Sequence, residues 1–207
     1  MGSIHQIKNY IKSLGLFFIL FLTFSANTSA KSVSEIDASI DSALDRFTSE
    51  IQGAQTYLDG ARGILVIPKM IKAGLVLGME YGEGALVVDN IRVQYYRAFS
   101  GSLGLQLGVG SKDLVILFYD DQAMDDFLYS SGWQVGVDGS VALLDMGAGG
   151  SLDSTEAQDP IVGFVFGHKG LIAGLSLEGT KFTKIWPDAE SESDEDSIEA
   201  FNENALD

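Results

Sequence analysis

The apolar positions between residues 34 and 58 follow the periodicity of an α-helix. They recur at spacings of three or four residues and form one stripe: Ile36, Ile40, Leu44, Phe47, Ile51, Ala54 and Leu58. Ser32 and Glu35 stand just before this stripe with the spacing of a capping box. Acidic side chains occupy the opposite side at Asp37, Asp41 and Asp45. The pattern predicts a helix that packs on the domain through its apolar stripe and turns an acidic side outwards.

After Gly60 the periodicity falls from about 3.6 residues to two, which is typical of half-buried β-strands. Apolar residues alternate with small or polar ones in three stretches: 103–110, 133–143 and 171–177. Shorter apolar runs add six strand candidates: 63–67, 74–81, 84–89, 91–99, 113–119 and 161–167. One helix interrupts the strands over 121–131, because Asp120 and Asp121 offer an N-cap and Gly132 a stop.

Glycine is unusually frequent in this sheet-forming region. The chain has 24 glycines among its 207 residues, whereas ordinary proteins contain about 7% glycine. Glycine weakens a strand unless a bend, a bulge or a close backbone approach requires it. We therefore predict an α+β fold with a predominantly antiparallel, glycine-rich, strongly curved sheet or small barrel. A packed N-terminal helix and one internal helix complete this prediction.

The two ends of the chain differ in composition from the region between them. Residues 1–30 have basic residues followed by an apolar run of eleven residues, Leu14–Phe24, and by small residues ending at Ala30. This layout predicts a cleavable signal peptide, because a membrane-spanning helix needs about 20 apolar residues. Residues 31–186 form the predicted domain. Residues 187–207 are strongly acidic and are predicted to be a disordered tail. We expect the protein to be exported to the periplasm or cell envelope, or secreted.

The charge and the rare residues exclude several kinds of function. Residues 31–185 contain 11 basic and 20 acidic residues, so that this part has a net charge of −9. A nucleic-acid-binding protein would show a basic surplus, so we expect no nucleic-acid partner. There is no cysteine, and His168 is the one histidine left after signal cleavage. Because the sequence also lacks phosphate-binding glycine motifs and metal-site motifs, we expect neither a cofactor nor a metal ion.

No catalytic constellation is apparent in the sequence. Glu80, Glu83 and Glu178 lie among apolar strand residues, and if they are buried they need partners such as Lys72, Lys181 or Arg92. A carboxylate-dependent hydrolase is therefore an alternative, although the primary expectation is that the protein is not an enzyme. A second alternative is an integral outer-membrane β-barrel, since glycine-rich alternation also suits that fold.

Several motifs, in order along the chain, resemble the SYLF domain family. The motifs are Ala61–Gly74, Gly104–Gly108, Ser111–Val115, Tyr129–Asp138 and Gly170–Lys181. The resemblance covers about residues 34–186, nearly the whole predicted domain. It implies a lipid-binding module, with phosphoinositides as the ligand of eukaryotic members and actin as a partner of fungal members.

For an exported protein, the relevant implication of the resemblance is binding of an anionic or amphipathic lipid in general, and not of phosphoinositides or actin in particular. We expect peripheral contact with an anionic phospholipid or a similar amphipathic ligand, and we do not expect the actin binding of the fungal relatives. The family motifs point to a set of lysines and apolar side chains as the lipid-binding residues: Lys69, Lys72, Lys169, Lys181, Lys184, Met70 and Trp133. Binding to anionic vesicles should be weak and should fall with salt, because phosphate contacts are screened.

Overall fold

The computed structural model describes residues 31–74, 77–103, 108–146, 159–170 and 176–188, all within the unit Lys31–Asp207. The predicted signal peptide at 1–30 lies outside the described residues, as does the acidic tail beyond Asp188.

Helix α1 spans Val33–Glu50 and begins as the sequence predicts. The Ser32 hydroxyl accepts from the Glu35 backbone N–H, and the Glu35 carboxylate accepts from the Ser32 N–H, which completes the capping box. The apolar stripe, however, does not continue as one helix. Gly53 adopts a left-handed conformation with φ of +81°, and a separate helix α2 follows at Ala54–Gly60. The third helix, α3, spans Asp121–Tyr129 and is capped by the Asp120 carboxylate.

The strands form one eight-stranded sheet with the order β5-β8-β3-β2-β1-β4-β7-β6. Their bounds are β1 Gly63–Gly74, β2 Leu77–Val88, β3 Ile91–Leu103, β4 Gly108–Phe118, β5 Trp133–Gln134, β6 Ala142–Asp145, β7 Ile161–Gly170 and β8 Lys181–Ile185. All neighbours pair antiparallel except β6 and β7, which are parallel. The sheet is open and strongly curled, like half of a barrel. The predicted fold class is confirmed, with one parallel pair that the sequence pattern did not indicate.

The two faces of the sheet bury separate hydrophobic cores. On the helix face, α1 covers the sheet through Ile36, Ile40 and Phe47, and the Phe47 ring lies 5.1 Å from the ring of Phe164. On the inner face, α3 inserts Phe127. Four aromatic rings surround Phe127 on the inner face: Tyr96, Phe118, Trp133 and Phe182. Burial raises the pKa of Tyr96 to about 12.

The stretch 133–143 is mostly a turn instead of one continuous strand. Its alternation is interrupted at Gly136, whose φ is +83°. The Asp138 carboxylate accepts a hydrogen bond of 2.7 Å from the Gln134 backbone N–H, which is the geometry of a side-chain-stabilised turn. The strand therefore ends at Gln134, an isolated β-bridge joins Val135 and Gly139, and the next strand begins at Ala142.

Two of the predicted strands are one strand in the structure, and parts of two others lie outside the described residues. Gly74 ends β1, residues 75–76 lie outside the described residues, and residues 77–81 and 84–88 of the two predicted runs belong to the single strand β2. Residues 104–107 and 171–175, which belong to predicted strands, lie outside the described residues. In the part of the chain that the structure describes, no helix is both long and apolar enough to cross a membrane.

Candidate functional site

A row of six directly opposed residues crosses the sheet where the central strands run past the end of α1. The row joins β7, β4, β1, β2, β3 and β8 and consists of Lys169, Ser111, Ile71, Tyr81, Phe99 and Lys181. Residues opposite one another in a sheet project from the same face. The helix face therefore presents an apolar centre with a lysine at each end of the row.

A second row lies two residues farther along the same strands and on the same face. It consists of Val109, Ala73, Met79 and Gly101. We call five exposed apolar side chains of these two rows the strand-end surface; with their exposed fractions they are Ile71 54%, Met79 56%, Tyr81 38%, Phe99 46% and Val109 72%. Such a cluster on one face is unusual for a soluble surface and is typical of an interaction site.

The strand-end surface is exposed because helix α1 covers another part of the same face. The helix packs over Ala85 and Val87 of β2. Residues two apart on a strand share a face, so Glu83, Tyr81 and Met79 continue this face beyond the helix. The sheet thus extends past α1 and leaves apolar side chains partly exposed.

A polar cluster borders the strand-end surface at Glu83. Its carboxylate is buried, forms an ion pair of 3.1 Å with Arg97, and accepts a hydrogen bond from the Tyr81 hydroxyl. The Arg97 guanidinium lies 5.6 Å from the centre of the Tyr81 ring. Burial raises the pKa of Tyr81, and the Glu83 carboxylate raises it further. These contacts hold the Tyr81 ring in a fixed position at the surface.

A pocket of about 660 Å³ opens beside Ile71 at the lysine end of the row formed by Lys169. Its described lining contains basic, acidic and apolar residues: Lys31, Arg46, Glu50, Ile51, Lys69, Ile71, Ser111, Asp113, Met146, Phe166, Gly167, His168 and Lys169. The pocket and the strand-end surface share Ile71 and are therefore continuous.

The buried carboxylate of Asp113 organises this pocket. It accepts hydrogen bonds from the Lys69 backbone N–H at 2.8 Å and from Arg46 Nε at 2.9 Å. Lys69 lies in a β-bulge and has a left-handed φ of +50°, which Asp113 stabilises through the N–H. At Gly167, with φ of +60°, a Cβ would come within 2.6 Å of the Asp113 carboxylate. The wall of the pocket is therefore fixed by contacts between four separate segments.

A second charged group is buried on the inner face of the sheet. The Glu80 carboxylate lies 3.3 Å from Lys72 Nζ and 2.7 Å from Lys112 Nζ, and all three side chains are at least nine-tenths buried. This confirms that a buried Glu80 is paired with Lys72. Glu83 is buried too, but its partner is Arg97, which was not among the predicted candidates. Glu178 is exposed.

The structure separates the seven predicted lipid-binding residues into three exposed lysines, one half-buried lysine and three buried residues. Lys69, Lys169 and Lys181 are exposed on or beside the helix face. Lys184 is half-buried and pairs with Tyr96; because it stands three residues after Lys181, it projects from the other face.

The other three predicted contacts are corrected, since their side chains are buried. Met70 and Trp133 belong to the core of the inner face, and Lys72 is buried beside Glu80. These three side chains are not available at the described surface, so the candidate site rests on Lys69, Lys169 and Lys181.

Sequence reasoning missed most of the strand-end surface. Met79, Tyr81, Phe99 and Val109 occupy ordinary apolar positions of alternating strands, and nothing in the sequence distinguishes them from core residues. One signal was available in the sequence. Lys72 and Glu80 are charged residues within apolar strands, and their ion pair lies on the inner face, so their apolar neighbours at these strand ends face the other way. Within the described residues, no group of three or more His, Asp or Glu side chains is arranged to hold a metal ion.

Residues 99–188 match the family model described as "Ysc84: Las17-binding protein actin regulator". The match begins at Phe99 on the strand-end surface and ends at Asp188, just beyond β8. No curated protein matches the chain significantly.

Proposed function

We propose that this chain, whose residues 99–188 match the Ysc84 (SYLF) family model, is a non-enzymatic, peripheral lipid-binding protein that contacts anionic membranes through its strand-end surface. The family is lipid-binding in related proteins. The proposal includes export, which the signal-peptide pattern of residues 1–30 supports, so the membrane would be one of the cell envelope. The Las17 and actin partners in the family description do not form part of it.

The observation that carries this proposal is the row of opposed residues with lysines at both ends and exposed apolar side chains between them. A membrane surface offers phosphates above an apolar interior. Lys169 and Lys181 stand five strand spacings apart, roughly 24 Å measured along the curled sheet. In this proposal they contact headgroups at the two ends of the row while Phe99 and Ile71 enter the apolar layer. No other ligand class accounts as simply for both parts of the row.

The expected strength of this contact is modest. A lysine near an anionic surface contributes about 1 kcal/mol, and the net charge of −9 over residues 31–185 opposes approach to that surface. The apolar side chains must supply the rest through the area that they remove from water. Binding should therefore depend on Met79 and Phe99 as strongly as on the lysines, and should weaken as salt screens the charges.

Vesicle co-sedimentation with the double variant Met79→Ser, Phe99→Ser tests this proposal. We expect the affinity for anionic vesicles to fall about tenfold or more, because two exposed apolar side chains that enter the bilayer would each lose about 1 kcal/mol or more. The fold should be unchanged, since both side chains are about half exposed.

The matched control replaces two exposed apolar residues of β3, the strand of Phe99, outside the strand-end surface. Ile91→Ser with Val93→Ser changes side chains that are 65% and 44% exposed and should leave vesicle binding unchanged. Equal binding by all three proteins, or equal loss in both double variants, would show that the strand-end surface is not the lipid contact.

A further inference from the structure

The pocket beside the strand-end surface has more positive charge than its carboxylates neutralise. Asp113 is already paired with Arg46 at 2.8 Å. Lys69 and Lys169, which line the same pocket, are exposed and form no ion pair with any of the described residues. Glu50 is the second acidic residue of the lining, at the end of α1. The described lining therefore retains a positive excess.

The hydroxyl of Ser111 and the imidazole of His168 belong to the wall of the same pocket. Ser111 is directly opposite Lys169 in the sheet. The Nε2 atom of His168 is buried, has no hydrogen-bond partner in the described part of the chain, and lies 3.6 Å from the Asp145 carboxylate. The pocket thus brings together two ammonium groups and a hydroxyl, which donate hydrogen bonds to the oxygens of an anion. The His168 imidazole belongs to the same wall, with its Nε2 buried beside Asp145.

We propose that this pocket binds a phosphate monoester group. A phosphate oxyanion offers several acceptor oxygens and a charge close to −2 near neutral pH, which matches several donors that converge from different strands. The Asp113 contacts explain how Lys69 is positioned: the carboxylate holds the bulged backbone through its N–H and leaves the Lys69 ammonium free to face the ligand. Asp113 is accordingly a positioning residue, without contact to the phosphate.

This inference rests on the proposed lipid contact, because a lipid headgroup is the expected source of the phosphate. Ile71 lies both in the pocket lining and on the strand-end surface. A lipid whose headgroup occupied the pocket would therefore place its acyl chains beside the exposed apolar side chains. The same chemistry would also accept a free phosphate group, and the experiment has an arm for each source.

The first arm titrates inorganic phosphate into the protein while the imidazole signals are followed by NMR. His168 is the one histidine outside the predicted signal peptide, so the imidazole signals of the mature protein report on the pocket. We expect saturable shifts of these signals, which chloride at the same ionic strength does not reproduce. Lys69→Ala and Lys169→Ala should each weaken this binding about tenfold.

Lys181→Ala is the matched control, because Lys181 is an exposed lysine at the other end of the row, outside the pocket lining. It should leave the phosphate response unchanged. An absence of saturable shifts at His168, or equal effects of all three lysine variants, would overturn the proposed site.

The second arm compares phosphatidylcholine vesicles doped with phosphatidic acid, a phosphate monoester, or with the same fraction of phosphatidylglycerol, a phosphodiester. Tighter binding to phosphatidic acid, with loss of this preference in Lys69→Ala, identifies the lipid headgroup as the ligand. A phosphate response without such a preference identifies free phosphate. The Met79→Ser, Phe99→Ser variant should lose vesicle binding and keep the phosphate response, so failure of the lipid proposal is distinguishable from failure of the pocket.

Discussion

Replacing Phe47 by alanine is expected to lower the free energy of unfolding by about 3–5 kcal/mol. The Phe47 side chain is fully buried between α1 and the sheet, with its ring 5.1 Å from that of Phe164 and 5.3 Å from that of Phe166. Its removal would leave a cavity in the core of the helix face, and the rigid sheet on one side could not collapse to fill it. Denaturant unfolding followed by circular dichroism measures the change.

Ile91→Ala is the control for this substitution, because it also truncates a large apolar side chain, but one that is 65% exposed. It should change the free energy of unfolding by about 0.5 kcal/mol or less. If Phe47→Ala cost as little as this control, α1 would not be packed on the sheet, and the helix face would not end where the strand-end surface begins.

Replacing Glu80 by glutamine should destabilise the fold by a similar amount, about 3–5 kcal/mol, for an electrostatic reason. The Glu80 carboxylate lies between two buried ammonium groups, 3.3 Å from Lys72 and 2.7 Å from Lys112. Glutamine keeps the shape of the side chain and removes its charge, so the ion pair with Lys112 is lost in a place that water does not reach. Chemical denaturation at neutral pH is the appropriate measurement.

Two further variants show whether the effect comes from the buried pair. Glu178→Gln removes the same charge from an exposed position and should be nearly neutral. Lys112→Met combined with Glu80→Gln should cost clearly less than the sum of the single changes, because the two groups interact directly. Strict additivity would mean that Glu80 and Lys112 do not form a pair in solution.

Local features of the fold could be predicted because their causes are local. The capping box of Ser32 and Glu35 and the start of α3 at Asp120 depend on residues three apart. The strands β1, β3 and β7 contain the apolar runs 63–67, 91–99 and 161–167 from which they were predicted. The break at Gly53 was missed because an apolar stripe of helical spacing can continue across a turn between two helices.

The candidate site could be predicted only in part because it depends on strand register. Lys169 and Lys181 become the two ends of one row only when six strands are paired in their observed alignment. The family motifs pointed to Met70 and Lys72, but both side chains face inwards because the bulge between Val66 and Ile71 shifts which residues of β1 do so. A pattern along one strand does not reveal such a shift.

The pocket could not be predicted either, because it is formed by residues that are far apart in the sequence. Its central residue, Asp113, contacts Arg46 and the backbone of Lys69, which are far from it in the sequence. An aspartate in a run of strand residues predicts an exposed charge, whereas here it is buried by the partners that the fold supplies. Only the folded chain brings these segments together.

The proposed membrane contact is tested most directly by placing an environment-sensitive fluorophore on the strand-end surface. The chain has no cysteine, so Met79→Cys provides a unique labelling position, and Ile91→Cys, at a side chain that is 65% exposed at the other end of the β2–β3 pair, provides the matched control. On addition of anionic vesicles, we expect the label at position 79 to shift to shorter wavelength and brighten, while the label at position 91 stays unchanged. An unchanged label at position 79, or an equal response at both positions, would contradict lipid binding through this surface.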